Sequence, residues 1–132
     1  MNTVYELAAP IGRVLLALIF VTSGLGKITG YAATQGYMEA MGVPGILLPL
    51  VIVLEVAGGI AIIVGWKTRL AAFSLAAFSI LSALLFHANF GDQMQMIMFM
   101  KNVAIAGGLL LLVAQGAGSY ALDNQMGRQV EA

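Results

Sequence analysis

Residues 46–66 read ILLPLVIVLEVAGGIAIIVGW, and this stretch decides the fold of the chain. Its only charged residue is Glu55, and the remainder is almost entirely apolar. An α-helix rises about 1.5 Å per residue and the hydrocarbon core of a bilayer is about 30 Å thick, so about 20 apolar residues span it. The stretch is therefore predicted to be a transmembrane helix.

Three further stretches are also long and apolar enough to span a bilayer, at residues 7–26, 70–86 and 94–114. Each backbone amide in hydrocarbon must be bonded inside its own segment, and these stretches lack the alternating polarity of membrane β-strands. The first stretch is expected to be retained, because no Lys or Arg precedes Arg13 as a cleaved signal peptide would require. We predict an all-α fold, a four-helix transmembrane bundle in residues 1–115.

The remaining segments are a short linker and a tail. Residues 31–41 carry Ala33, Tyr37 and Met41 at helical spacing before Gly42, which favours a short interfacial helix between the first two spans, with a plain loop as the alternative. Residues 116–132 are predicted to be a polar cytoplasmic tail that contributes little order.

The composition agrees with a membrane protein and excludes several functions. Of 132 residues, 61% are hydrophobic and 9% are charged, whereas a soluble domain carries about 25% charged residues. Six basic and six acidic residues cancel, so no basic field is available and nucleic acid is not a predicted partner. The chain has no cysteine and one histidine, so we expect no disulfide, no thiol chemistry, no metal site and no intrinsic cofactor.

The distribution of Lys and Arg predicts the orientation of the bundle. One face carries Arg13, Lys67, Arg69 and Arg128, while the opposite face carries Lys27 and Lys101. Because basic residues concentrate on the cytoplasmic side, both termini are predicted to be cytoplasmic.

Several polar side chains fall within the predicted spans, where ionisable groups are costly and often functional. They are Arg13, Glu55, His87, Lys101 and Asn102. Glu55 lies about 13 Å from the outer end of its helix and Lys101 about 10 Å from the outer end of the fourth, so their depths match. We expect a cluster in which Arg13 is the permanent partner of Glu55 and Lys101 is the freer cation.

Two interpretations of this cluster stay open. The pair could fix helix register and do nothing else, as buried ion pairs can. Alternatively, the excess positive charge favours a ligand with a carbonyl, phenolate or carboxylate oxygen, and His87 could exchange a proton with that ligand. A histidine at a helix end is also an ordinary interface residue.

The chain resembles the DoxX family between residues 11 and 123. The resemblance rests on Gly12-Arg13-Val14, Ser23-Gly24-Leu25-Gly26-Lys27, Tyr37-Met38-Glu39-Ala40-Met41-Gly42-Val43-Pro44, Leu54-Glu55-Val56-Ala57-Gly58-Gly59 and Lys101-Asn102-Val103-Ala104-Ile105-Ala106-Gly107-Gly108. It implies a four-helix protein of the bacterial inner membrane, with Arg13, Glu55, Lys101 and Asn102 on the family's recurrent polar positions.

The resemblance implies less about activity. Relatives include a component of a thiosulfate:quinone oxidoreductase and proteins of redox defence. The leading hypothesis is a membrane protein that binds a quinone-like or other small hydrophobic molecule with a polar head, using Glu55, Lys101, Arg13, Asn102 and His87, and that acts with a redox protein. The alternative is a structural or assembly protein without activity of its own. Homo-oligomers are compatible with both, and a transporter is disfavoured because no inverted repeat is evident.

Overall fold

The computed structural model describes residues 3–125, and these residues form an all-α fold. Four of the helices are long and apolar enough to cross a membrane, as predicted. The helices are α1 (Thr3–Thr29), α2 (Tyr31–Ala40), α3 (Leu48–Val64), α4 (Thr68–Phe86) and α5 (Gln93–Gln115), with a 3-10 turn at Gly45–Leu47 ahead of α3.

Local sequence accounts for where the helices begin and end. Pro49 stands at the start of α3, where its missing amide hydrogen costs nothing. Gly65 ends α3 with φ +76°, a left-handed conformation that glycine adopts without strain. The Asp92 carboxylate accepts a hydrogen bond from the Met94 amide, 2.9 Å away, and so caps α5.

The bundle consists of two helix pairs. α1 packs mainly against α3, and α5 packs mainly against α4, while α3 and α4 join the pairs. α1 and α3 are antiparallel, since Gly24 contacts Val56 and Arg13 reaches Ile62. The core is built from small, branched and aromatic apolar side chains of the four long helices: Ala17, Phe20, Ile62, Ala72, Leu75, Ala76, Ala106 and Leu109.

The first part of the C-terminal tail is packed, although the sequence predicts little order there. Ala117 and Ala121 are buried, and the Asp123 amide donates a hydrogen bond to the Gly65 carbonyl at 2.8 Å. The tail can approach this closely because Gly65 has no side chain: a Cβ there would lie 2.5 Å from the Ala121 Cβ. Arg128, one of the residues that predict the orientation, lies outside the described residues.

Asp123 also caps the start of α4. Its carboxylate accepts hydrogen bonds from the amides of Lys67 at 2.6 Å and Thr68 at 2.9 Å. Burial by itself would raise the pKa of the Asp123 carboxyl, but the hydrogen bonds from Thr68 and Lys67 and the charge of Arg13 together hold it below its ordinary value. The start of the tail therefore ties the α3–α4 connection to the end of α5.

Candidate ligand site between the helices

The ionised partner of Glu55 is Lys27. The Lys27 Nζ lies 2.7 Å from the Glu55 Oε1, and the exposed fractions of the two side chains are 27% and 2%. Lys27 reaches this position because α1 continues to Thr29, so Lys27 belongs to the last helical turn. The pair thus links the end of α1 to the middle of α3.

The backbones of α1 and α3 approach closely beside this pair. A Cβ placed on Gly24 would lie 2.5 Å from the Val56 Cγ2 and 3.3 Å from the Glu55 Cβ. Lys27 follows Gly24 by three residues and so lies on the same face of α1. The absence of a side chain at Gly24 therefore lets α1 approach α3 closely enough for Lys27 to reach the Glu55 carboxylate.

The expected pair of Arg13 with Glu55 does not form, which corrects that part of the sequence analysis. Arg13 precedes Gly24 by eleven residues in α1, which places it about 16 Å along the helix axis from the level of Glu55. Its Nη1 donates to the carbonyls of Ile62 and Ile63, each at 2.9 Å, and its Nη2 donates to the Tyr120 carbonyl at 2.5 Å. The buried guanidinium thus satisfies carbonyls at the C-terminal end of α3, which lack helical donors and carry partial negative charge.

The sequence contains a signal that identifies Lys27. One stripe of α1 repeats at alternating steps of four and three residues, and its members are Arg13, Ala17, Phe20, Gly24 and Lys27. The first four are buried. Extending the stripe by one step leads to Lys27, which sequence reasoning missed because the first span was ended at residue 26.

A cavity of about 580 Å³ opens between the two helix pairs. All five helices contribute to its wall, which is mainly apolar. The polar and charged side chains on the wall are Ser23, Lys27, Thr34, Tyr37, Glu55, Ser74, Ser79, Ser82, His87, Lys101 and Asn102. A cavity of this size, with mostly apolar walls and a few convergent polar groups, is typical of sites for small molecules.

Four of the five residues predicted for a ligand site line this cavity, namely Glu55, His87, Lys101 and Asn102, and Arg13 does not. Asn102 donates from its Nδ2 to the Ser79 carbonyl at 3.2 Å. Lys101 is exposed on the wall, and no carboxylate of residues 3–125 forms an ion pair with it. The cavity therefore combines a neutralised pair, Lys27 with Glu55, and a separate cation.

Three residues of the cavity wall, Tyr37, Phe86 and His87, also make contacts between helices. The ring of Tyr37 in α2 stacks on Phe86 at the end of α4, with 5.5 Å between the ring centroids. Beside Phe86, the His87 Nδ1 lies 2.8 Å from the Gln95 Oε1 of α5. These contacts join α2, α4 and α5 beside the cavity.

Within the described part of the chain, His, Asp and Glu side chains do not gather in groups of three that could hold a metal ion. A ligand of the cavity would meet apolar side chains, the Lys27–Glu55 pair, Lys101, the Asn102 amide group, His87 and several Ser and Thr hydroxyl groups.

Comparisons with known proteins confirm the resemblance. The model of the DoxX family matches residues 8–88. The chain is 49% identical to the inner membrane protein YqjF of Escherichia coli (strain K12) over 129 residues, which covers 98% of this chain and 99% of that protein. It is 36% identical to the inner membrane protein YphA of the same strain over 122 residues, 87% of each chain.

A more distant similarity concerns CatD of Bacillus subtilis (strain 168), a protein named as a candidate oxidoreductase. The identity is 29% over 70 residues, which is 53% of this chain and 52% of CatD. No solved structure gives a significant match to the chain. The family model, the two inner membrane relatives and the four apolar helices together establish that this chain is a multi-pass inner membrane protein of the DoxX family.

Proposed function

We propose that this protein binds a quinone-like or other small hydrophobic molecule with a polar head between its helices and acts with a redox partner. The observation that carries the proposal is the cavity of about 580 Å³, whose apolar wall brings Lys27, Glu55, Lys101 and Asn102 together. An apolar ring or chain would pack on the wall while oxygen atoms of the head meet the lysines and the Asn102 amide. The oxidoreductase name of CatD supports the redox part of the proposal.

A redox partner belongs to the proposal because of what the sequence contains. The chain has no cysteine and one histidine, so it cannot offer a thiol pair or two histidine ligands for a haem. Electrons that reach or leave a bound quinone would then be exchanged with another protein. This chain would contribute the binding site and its position in the bilayer.

Binding is tested on purified protein in nanodiscs with a short-chain ubiquinone, by equilibrium dialysis against empty nanodiscs. Ser82 lines the cavity, and Ser82→Phe should obstruct part of it and weaken saturable binding. Leu84 is 56% exposed on the same helix and is not part of the cavity wall, so Leu84→Phe is the matched control. Unsaturable binding to the wild type, or equal losses in the two variants, would refute the proposed binding site.

The partner is tested separately by chemical cross-linking in intact membranes. The wild-type chain should be joined to a protein that carries a flavin, haem or iron–sulfur group, identified by mass and absorbance. A cross-linked complex without a redox-active protein, together with saturable quinone binding, would leave the binding part of the proposal and remove the partner part.

The second candidate function is a structural or assembly role, and the contact of Gly24 with α3 favours it. The Lys27–Glu55 pair adjoins the closest approach of α1 to α3, where a buried pair can specify how two helices dock. If this role is correct, each of the single variants Lys27→Glu and Glu55→Lys should lose stability. The double variant, which exchanges the two charges, should recover both stability and any cellular role. Loss of quinone binding in Ser82→Phe would have no cellular effect.

A further inference from the structure

The charges on the cavity wall do not balance. Among the residues that line the cavity, Glu55 is the one acidic residue, whereas there are two lysines, Lys27 and Lys101. The Glu55 carboxylate is 2% exposed and is engaged by Lys27 at 2.7 Å. One positive charge, that of Lys101, is therefore left without a counterion on the wall.

Lys101 also lies well within the membrane-spanning length of α5. It follows Gln93, the first residue of α5, by eight positions, which corresponds to about 12 Å along the helix. An uncompensated ammonium group at such a depth is costly in a bilayer. Its side chain can reduce that cost by extending toward the membrane surface or by meeting an anion in the cavity.

Two polar side chains of the same wall, Asn102 and Ser79, donate hydrogen bonds within the protein. Asn102 donates to the Ser79 carbonyl, and the Ser79 hydroxyl donates to the Leu75 carbonyl at 2.8 Å. Neither side chain forms a hydrogen bond with Lys101. Met98 and Ile105, which line the cavity one turn to either side of Lys101 in α5, are apolar.

From this arrangement we infer that the ligand is a lipophilic acid, with an ionised phenolate, enolate or carboxylate head bound by Lys101 and an apolar body packed on the cavity wall. The inference rests on the proposed binding function and narrows its ligand class. A charge-assisted hydrogen bond inside an apolar cavity is stronger than one to a neutral oxygen. The protein should therefore prefer an anion to a neutral analogue of equal shape.

The test uses 2-hydroxy-1,4-naphthoquinone, which is ionised at neutral pH, and its neutral 2-methoxy analogue. Both are measured by equilibrium dialysis with the protein in zwitterionic nanodiscs, after subtraction of empty nanodiscs. The wild type should bind the anion about tenfold more tightly. Lys101→Met should abolish this preference without weakening the binding of the methoxy compound. Lys101→Arg should retain the preference.

Lys67→Met is the charge-matched control, since Lys67 lies at the other end of the bundle and should leave the preference intact. Equal affinities of the wild type for the two compounds would overturn the inference while the quinone proposal stands. A preference for the anion that survives Lys101→Met would also overturn the inference. Lys101 would then not bind the anion, and its side chain would extend toward the membrane surface.

If neither naphthoquinone binds, the same comparison is made with 2-naphthoic acid and its methyl ester. A Lys101-dependent preference for the acid would support the inference and refute the quinone class. Absence of binding by the acid as well would overturn the inference.

Discussion

Lys27 and Glu55 form an ion pair at 2.7 Å that joins the last turn of α1 to the centre of α3. The carboxylate is almost fully buried, while about a quarter of the lysine side chain is exposed. Removing the Lys27 cation therefore leaves a buried acidic group without its partner. Removing both charged side chains leaves no unpaired charge. The order of stability among the variants should reflect this asymmetry.

We expect Lys27→Met to lower the free energy of unfolding by about 1 to 3 kcal/mol, the cost of a buried group left unsatisfied. The double variant Lys27→Met with Glu55→Met should recover most of that loss, since buried pairs can be replaced by apolar residues at little cost. Melting curves in detergent provide the measurement. Additive losses in the double variant would show that the two residues are not coupled.

Gly24→Ala should push α1 away from α3. The new Cβ would meet the Val56 Cγ2 at 2.5 Å, and valine has little rotamer freedom in a helix with which to move aside. We expect a loss of about 1 to 3 kcal/mol. The same substitution at Gly12 or Gly26, where nothing lies within 4 Å, should be neutral or stabilising by up to about 1 kcal/mol. A loss at Gly12 or Gly26 equal to that at Gly24 would contradict the close approach.

The fold could be predicted from the sequence because the requirement for it is simple. Apolar stretches such as residues 46–66 must form helices in hydrocarbon. The polar, glycine and proline residues between these stretches separate the spans. The packing of the tail was not predictable in this way. It depends on Gly65 admitting Ala121 and on Asp123 meeting free amides of the α3–α4 connection, which are contacts between residues distant in the chain.

The candidate site was predictable in part. Glu55, Lys101 and Asn102 were identified because polar groups within spans are costly, and all three line the cavity. The predicted partner of Glu55 was wrong because ion pairing depends on the register between α1 and α3. The depth of a residue along its own helix does not determine that register. That register is set by the contacts of Gly24 and Gly59 with the opposite helix.

Arg13 should contribute more to stability than Lys101, although it is not the partner of Glu55. Arg13→Ala removes hydrogen bonds to three carbonyls, and hydrogen bonds to charged groups contribute about 1.5 to 3 kcal/mol each. We expect a loss of at least about 3 kcal/mol, partly restored in Arg13→Lys. Lys101→Ala should cost less than about 1 kcal/mol, because it makes no ion pair with the described residues. Equal melting temperatures for the two alanine variants would refute this assignment.

The orientation of the bundle is a prediction that reporter fusions can test. With four spans and basic residues concentrated at the α3–α4 connection, both termini and Lys67 should be cytoplasmic, and α2 should be periplasmic. A periplasm-specific reporter should be active when inserted after Ala40 and inactive when inserted after Lys67. The reverse pattern would invert the topology without changing the fold.

The Asp123 cap predicts how stability depends on pH. Because the folded protein holds the pKa of Asp123 below its ordinary value, ionised Asp123 stabilises the fold above about pH 4, the value expected for an unfolded aspartate. This contribution is lost as the pH falls from there through the lowered pKa, because protonation removes the charge that binds the amides of Lys67 and Thr68. Asp123→Asn should therefore melt below the wild type at pH 7, and the difference should shrink toward pH 3. Gln125→Ala, a change in an exposed neighbour, should follow the wild type throughout. A difference between wild type and Asp123→Asn that stays constant over this range would show that the charge of the cap does not contribute to stability.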